Sequence, residues 1–306
     1  MFLTALLTVG MMIAYAVPGF LLIKTKVCQG EHISAFAKLL LYVCQPALVI
    51  YSMRQVPYSN TLMWNMVIVF ALVLCSGIAV MVLFWLLFRQ KMKGDATFRI
   101  YTIASCMGNY GFMGVPIIAA LLPDHPEAVA YSAVAQLALN MMAWSVGSAI
   151  ISQDIKYMQP KKMFLNPTVV SFFVALPLFI TSFTFPSQVE EIITMLARMS
   201  TPLCMIIMGM RLATMPLKEI FGDWKQYLII GVKQVLYPLA MFALLLPFSI
   251  DTTVKQSLVI MMCCPVASVV LNFAEVLGEG QKKAASLVLL ATILSAATIP
   301  LICLLL

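Results

Sequence analysis

Asn109, Ser268 and Asn272 are neutral hydrogen-bonding side chains set inside two long apolar stretches, each near a proline that interrupts regular helix. The first stretch reads Ser105-Cys-Met-Gly-Asn-Tyr-Gly-Phe-Met-Gly-Val-Pro116, the second Cys263-Cys-Pro-Val-Ala-Ser-Val-Val-Leu-Asn272. Pro116 and Pro265 lack an N–H and clash with the carbonyl four residues back. Gly108, Gly111 and Gly114 loosen the turns before Pro116. Each stretch is expected to form a half-helix, an irregular link and a second half-helix. The second half-helix would offer free N–H groups and a positive dipole end to whatever lies between. That is the chemistry of carboxylate capture. Uncharged amides and hydroxyls suit a carrier, which must release what it binds. The blander reading is a kink, since proline is tolerated in membrane helices. Two breaks in matching places of two halves favour a binding site.

Other polar side chains fall at membrane depth. Gln136 and Asn140 are four apart on one helical face, and Trp144 follows at the same spacing. An amide pair facing lipid is costly, so it faces either another helix or a ligand. Gln45 beside Pro46, and Ser200-Thr201 beside Pro202, admit the same two readings. Lys233 lies about nine residues into its span, from where its stem can snorkel to the cytoplasmic face. Arg198 lies at comparable depth, with Glu190 or Glu191 as a partner. Ionisable residues at such depth are functional candidates by default, but a structural role is the reading preferred for both. Glu275 falls at the cytoplasmic end of its span. No two Asp residues are adjacent, which argues against an antiporter carboxylate dyad; His32 and His125 fall near loops and receive no role. The eight cysteines lie mostly in apolar stretches without metal-ligand spacing and read as inert thiols, so no metal and no cofactor is expected.

The elements that must position these residues follow from composition. Of 306 residues, 62% are hydrophobic and 10% charged, too few charges for a water-soluble surface of this size. Apolar runs mark ten spans at about 2–23, 33–53, 62–88, 97–122, 126–151, 163–185, 189–213, 225–248, 253–277 and 284–306. The first run lacks a basic leader and reads as a span, not a signal peptide. Alternate connections separate by charge. One set holds Lys24, Lys26, Lys38, Arg89, Lys91, Lys93, Arg99, Lys156, Lys161, Lys162, Arg211, Lys218, Lys225, Lys282 and Lys283. The other has only Arg54 and Lys255 as basic residues, with Asp124, Glu127, Glu190, Glu191 and Asp251. The basic set is expected on the cytoplasmic side of the cytoplasmic membrane, with both termini outside. The net charge of +7 is then a topology signal and implies no nucleic-acid partner.

Ten crossings split into five and five, and an odd unit enters the bilayer inverted on its second use. Cys44-Gln-Pro46 corresponds to Ser200-Thr-Pro202, with Arg54 and Arg211 following; Pro116 in span four corresponds to Pro265 in span nine. The expected organisation is a first repeat at 1–153 (spans 1–5, broken helix about 97–122), a cytoplasmic linker at 154–162, and a second repeat at 163–306 (spans 6–10, broken helix about 253–277).

These same residues carry a family likeness. Asn109-Tyr-Gly-Phe-Met-Gly-Val-Pro116 resembles the Asn-x-x-x-Met-Gly-(hydrophobic)-Pro crossover of the auxin efflux carrier family, which includes the plant PIN-FORMED proteins and bacterial carriers of small dicarboxylates. Asn166-Pro-Thr matches an Asn-Pro signature at the sixth helix; Lys233 with Pro238 resembles a basic-x4-Pro pattern in the eighth; Pro265 with Phe273-Ala-Glu275 resembles the ninth-helix crossover. The resemblance runs over nearly the whole length. It implies an all-α integral membrane protein of ten helices in two inverted five-helix repeats with crossing broken helices, like NhaA and the bile-acid transporters, and elevator-like movement of an organic anion. Its crossover asparagine and prolines carry over to Asn109, Pro116 and Pro265, and a fifth-helix amide to Asn140. Val266-Ala-Ser268 departs from the plant Gln-Gly-Ile, and the long plant loop is absent, so the resemblance points to a bacterial member and away from auxin itself.

The expected function is a secondary carrier of small carboxylates or dicarboxylates. Its substrate site would hold Asn109, Gly111, Pro116, Gln136, Asn140, Pro265, Ser268 and Asn272, supported by Gln45, Pro46, Thr201, Pro202 and Lys233. The expected partners are a small organic anion and the lipid bilayer, with H+ or Na+ as candidate coupling ion and a homodimer as candidate assembly. Rival readings are a sodium-coupled symporter of the bile-acid type, a transporter-like receptor, and an intramembrane enzyme. The last lacks paired acids, a buried His or an activated nucleophile in the sequence.

Overall fold

The computed structural model describes residues 1–153 and 164–306, so the expected linker at 154–162, with Lys156, Lys161 and Lys162, lies outside the described residues. In chain order the helices are α1 Phe2–Lys24, α2 His32–Met53, α3 Asn60–Phe88, α4 Ala96–Ala104, α5 Tyr110–Leu121, α6 Glu127–Ser152, α7 Pro167–Ile180, α8 Ser187–Thr214, α9 Leu217–Phe221, α10 Trp224–Leu245, α11 Thr252–Cys263, α12 Val269–Leu277 and α13 Gln281–Leu305. Seven of them (α1, α2, α3, α6, α8, α10 and α13) are long and apolar enough to cross a membrane. Leu3, Leu7, Trp64, Leu87, Phe173 and Leu246 are exposed, an apolar exterior that only lipid accepts. The described residues form no strand beyond one isolated bridge, and the chain is an all-α, multi-pass membrane protein.

Local chemistry sets the helix ends. Ser59 Oγ accepts from Leu62 N at 3.1 Å to open α3, and Asp251 Oδ1 accepts from Val254 N at 3.1 Å to open α11. Asn166 Oδ1 accepts from Thr168 N to open α7. Each cap satisfies one of the donors that a helix start leaves without a partner. Proline acts inside the helices. Leu40–Cys44, Tyr110–Gly114 and Val232–Leu236 are wide π-turns, and they end two residues before Pro46, Pro116 and Pro238 respectively. A wider turn moves the backbone away from the proline ring, which would otherwise strike the carbonyl behind it. A fourth wide turn, Ala143–Gly147, has no such proline.

α1 and α8 pack backbone to backbone. A Cβ added at Gly19 would stand 1.9 Å from Ile206 O, and one at Gly209 would stand 1.8 Å from Ala16 O. Small residues give this close approach, and with it the dispersion contact that holds helices together in lipid. Ion pairs tie the ends. Arg54 Nη2 meets Glu190 Oε2 at 2.8 Å, with the guanidinium 4.9 Å above the Phe185 ring. The expected pairing of Arg198 with Glu190 or Glu191 is therefore wrong: Arg54 takes Glu190, and Arg198 forms no ion pair among the described residues. Glu275 pairs with Arg211 at 3.4 Å, joining α12 to α8.

Candidate functional site

Regular helix ends at Ala104 and resumes at Tyr110; it ends again at Cys263 and resumes at Val269. The two intervening segments lie side by side. Gly108 and Val266 form an antiparallel bridge, in which Asn109 N donates to Pro265 O at 2.8 Å and Ala267 N donates to Met107 O at 3.0 Å. Met107 and Val266 are buried. Each open segment thus satisfies backbone groups of the other, in a setting where water cannot do so. Pro265 has no donor to contribute, but its carbonyl is the acceptor that this pairing needs.

Lys233 completes the crossing. Its Nζ donates to Met262 O at 2.6 Å and Cys264 O at 3.2 Å, and it lies 5.6 Å and 5.5 Å from the ring centres of Tyr110 and Tyr237. The residue is 0% exposed. The expectation that it snorkels toward the cytoplasmic face is corrected. The last carbonyls of α11 lack intrahelical donors and carry the negative end of the helix dipole, so they hold the ammonium inside. Tyr237 Oη is fixed in turn by Ser76 Oγ at 2.8 Å. Gly108 is required here: a Cβ there would stand 2.3 Å from the Tyr110 ring and 3.0 Å from Lys233 Nζ.

The two second half-helices differ. At the start of α5, Tyr110 N donates to Gly108 O (2.9 Å), Gly111 N to Gln136 Oε1 (2.9 Å), Phe112 N to Asn109 Oδ1 (3.2 Å) and Met113 N to Asn109 O (3.3 Å). The expectation of free N–H groups there is therefore corrected, because Asn109 and Gln136 supply the missing acceptors. Both amides act as helix caps, as short polar side chains do at helix starts. At the start of α12, Ser268 N and Val269 N have no acceptor among the described residues.

The remaining predicted residues divide into two groups. Asn109, Gly111, Gln136 and Pro265 are brought together by the bonds above. Asn140 joins them indirectly, its Nδ2 donating to Gln136 O at 2.8 Å. One turn on, the Trp144 ring packs 5.1 Å from that of Phe273, so this face of α6 runs from the start of α5 across to α12. Ser268 is half-buried and Asn272 exposed; no hydrogen bond joins either side chain to Asn109 or Asn140. Gln45 is buried with Nε2 unpartnered among the described residues, and Pro46 stands in the first turn after its wide turn. Thr201 Oγ1 donates to Phe112 O at 2.7 Å, bridging α8 to α5. Pro116, Thr201 and Pro202 line a separate cavity. Tyr110 and Tyr237, which clasp Lys233, carried no sequence signal beyond their positions next to a glycine and a proline.

Two comparisons bear on this arrangement. A protein of Rhizobium meliloti (strain 1021) named "Putative malonate transporter" is 27% identical over 291 residues, covering 88% of this chain and 86% of its own. The profile of the family described as "Membrane transport protein" matches residues 2–303. That match spans both interrupted helices and the crossing between them, and the chain belongs to this membrane transport protein family, the auxin efflux carrier family that its Asn109–Pro116 motif resembles.

Proposed function

We propose that this protein is a secondary carrier of small organic anions, of the carboxylate or dicarboxylate class, across the cytoplasmic membrane. The observation that carries the reading is the hydrogen-bonded crossing of two interrupted helices, Asn109 N to Pro265 O and Ala267 N to Met107 O. Non-helical backbone at membrane depth marks the substrate site of many secondary transporters. The name of the malonate-transporter relative supports the anion class.

In this reading the seven long helices, α7 and the two interrupted pairs α4–α5 and α11–α12 make ten crossings. They form two inverted repeats, 1–153 and 163–306, joined by the linker 154–162, with both termini outside. The substrate carboxylate binds at the open start of α12, on Ser268 N, Val269 N, Ser268 Oγ and Asn272. Asn109, Gly111, Gln136, Pro265 and Lys233 hold the crossing in shape, and Asn140 supports Gln136. The hydroxyl bridge from Thr201 to Phe112 O breaks and reforms as the crossing elements slide past α8 in an elevator movement.

Sodium coupling receives no support from this geometry. The carbonyls of Met262 and Cys264, which a cation would want, already hold the Lys233 ammonium. Malonate uptake into proteoliposomes tests the proposal. Saturable uptake, indifferent to a sodium gradient and reduced at least tenfold in the Ser268→Ala/Asn272→Ala double variant, is the expected result. Equal uptake by folded wild type and double variant would remove the assigned site. Binding without flux would favour a receptor.

A further inference from the structure

We infer that Arg198 is the anchor of a second anion site, a hydrated antechamber that takes one carboxylate of the substrate before it reaches the crossing. The inference deepens the carrier reading and rests on it for the identity of the anion.

Arg198 lies eleven residues after the first residue of α8, roughly 16 Å along the axis at 1.5 Å per residue. It lines a cavity of about 410 Å³ together with Thr8, Tyr51, Gln55, Pro116 and Thr201. That size is typical of small-molecule sites, which run from about 300 to 1,000 Å³. Among the described residues, Arg198 is the only charged one on the wall. Arg198 is exposed, and no carboxylate answers it among the described residues: Glu190 is held by Arg54, and Glu191 forms no ion pair. A guanidinium at this depth without a counter-ion needs water or an anion, and such residues mark substrate paths. Its fork of donors matches a carboxylate in two-point contact.

The wall also fits the rest of a small organic acid. Thr8, Tyr51 and Gln55 offer uncharged polar groups, while Leu48, Val115 and Ala119 supply an apolar side. The cavity touches the crossing directly. Pro116 belongs to α5, and Thr201, one turn from Arg198, donates to Phe112 O in the first turn of α5. An anion held by Arg198 therefore lies against the element whose movement would carry it. A dianion gains more than a monoanion from this arrangement, because one carboxylate can stay on Arg198 while the other reaches inward.

The test uses full-length protein in proteoliposomes with malonate, and Arg198→Gln and Arg198→Lys variants. The expected result is a KM raised at least tenfold in R198Q, a maximal rate within about twofold, and substantial recovery in R198K. An unchanged KM in R198Q would overturn the site. If wild type moves no carboxylate, the carrier reading fails, and thermal stabilisation by malonate decides separately: stabilisation lost in R198Q upholds the site, and stabilisation kept, or none in wild type, overturns it. A variant that loses stabilisation by phosphatidylglycerol but keeps that by malonate would mark a lipid-headgroup site and overturn the inference. Should neither variant fold, phenylglyoxal labelling of wild type decides: malonate slows modification of Arg198 at least fivefold in peptide mapping, and equal labelling with and without malonate is the overturning result.

Discussion

The Nζ of Lys233 lies 2.6 Å from the carbonyl oxygen of Met262, a residue on a neighbouring helix, in a place no water reaches. This bond turns the end of α11 from a liability into a joint. An interrupted helix leaves carbonyls bare at the break, and each unsatisfied buried polar group costs about 1–3 kcal/mol. The same nitrogen also serves Cys264 O and faces two tyrosine rings. One side chain from α10 thus closes a gap in the chain 29 residues further on.

Lys233→Met keeps much of the volume and removes the donor. Two carbonyls then lose their partner, and stability should fall by about 2–4 kcal/mol. A shift of that size lowers the thermal transition of a chain this long by several degrees or more. Melting of the detergent-solubilised protein measures it. A transition within one degree of wild type would show that the carbonyls are satisfied some other way.

Gly209→Leu should be far worse than its exposed-helix counterpart. At Gly209 even a Cβ would stand 1.8 Å from Ala16 O, so α1 and α8 must separate. At Gly10 nothing lies within 4 Å of an added Cβ, and alanine there gains about 0.5–1 kcal/mol of helix propensity. Folded yield and melting of Gly209→Leu beside Gly10→Ala give the comparison. The first should fail to give a monodisperse protein, and the second should match or exceed wild type.

Asp223 offers a pH-dependent contribution outside the spans. Burial alone raises its carboxyl, but the hydrogen bonds from Lys283, Tyr101 Oη and Lys225 N outweigh burial and hold it below the ordinary carboxylate range. A carboxyl depressed in the folded state contributes stability above its unfolded pKa of about 3.9 and loses it as pH falls through the folded value. Asp223→Asn should therefore melt lower than wild type at pH 7, and the gap should narrow from about pH 4 downward. A gap that stays constant on acidification would contradict this.

How far the chain could be read without its fold depends on how local each signal is. Hydropathy alone located the seven long membrane helices, because a span is a property of roughly twenty consecutive residues. Proline acts within four residues of itself, so Pro116 and Pro265 announced that something irregular precedes or surrounds them. The Asn109–Pro116 motif, with the shorter matches at Asn166, Lys233 and Pro265, pointed to the family, which the profile over residues 2–303 bears out.

What only the tertiary structure decided is who answers whom. Arg54 and Glu190 are 136 residues apart, and nothing in the sequence near Arg198 shows that Glu190, one of its two expected partners, is taken. Gln136 and Asn140 were legible as a polar face of one helix. That Gln136 would cap Gly111 N, and that Asn109 would spend its side-chain oxygen on Phe112 N, required the two elements to be placed together. The physical reason is the same each time. Spans and breaks are fixed by neighbours along the chain, whereas a polar group inside a membrane takes whichever partner packing brings within about 3 Å.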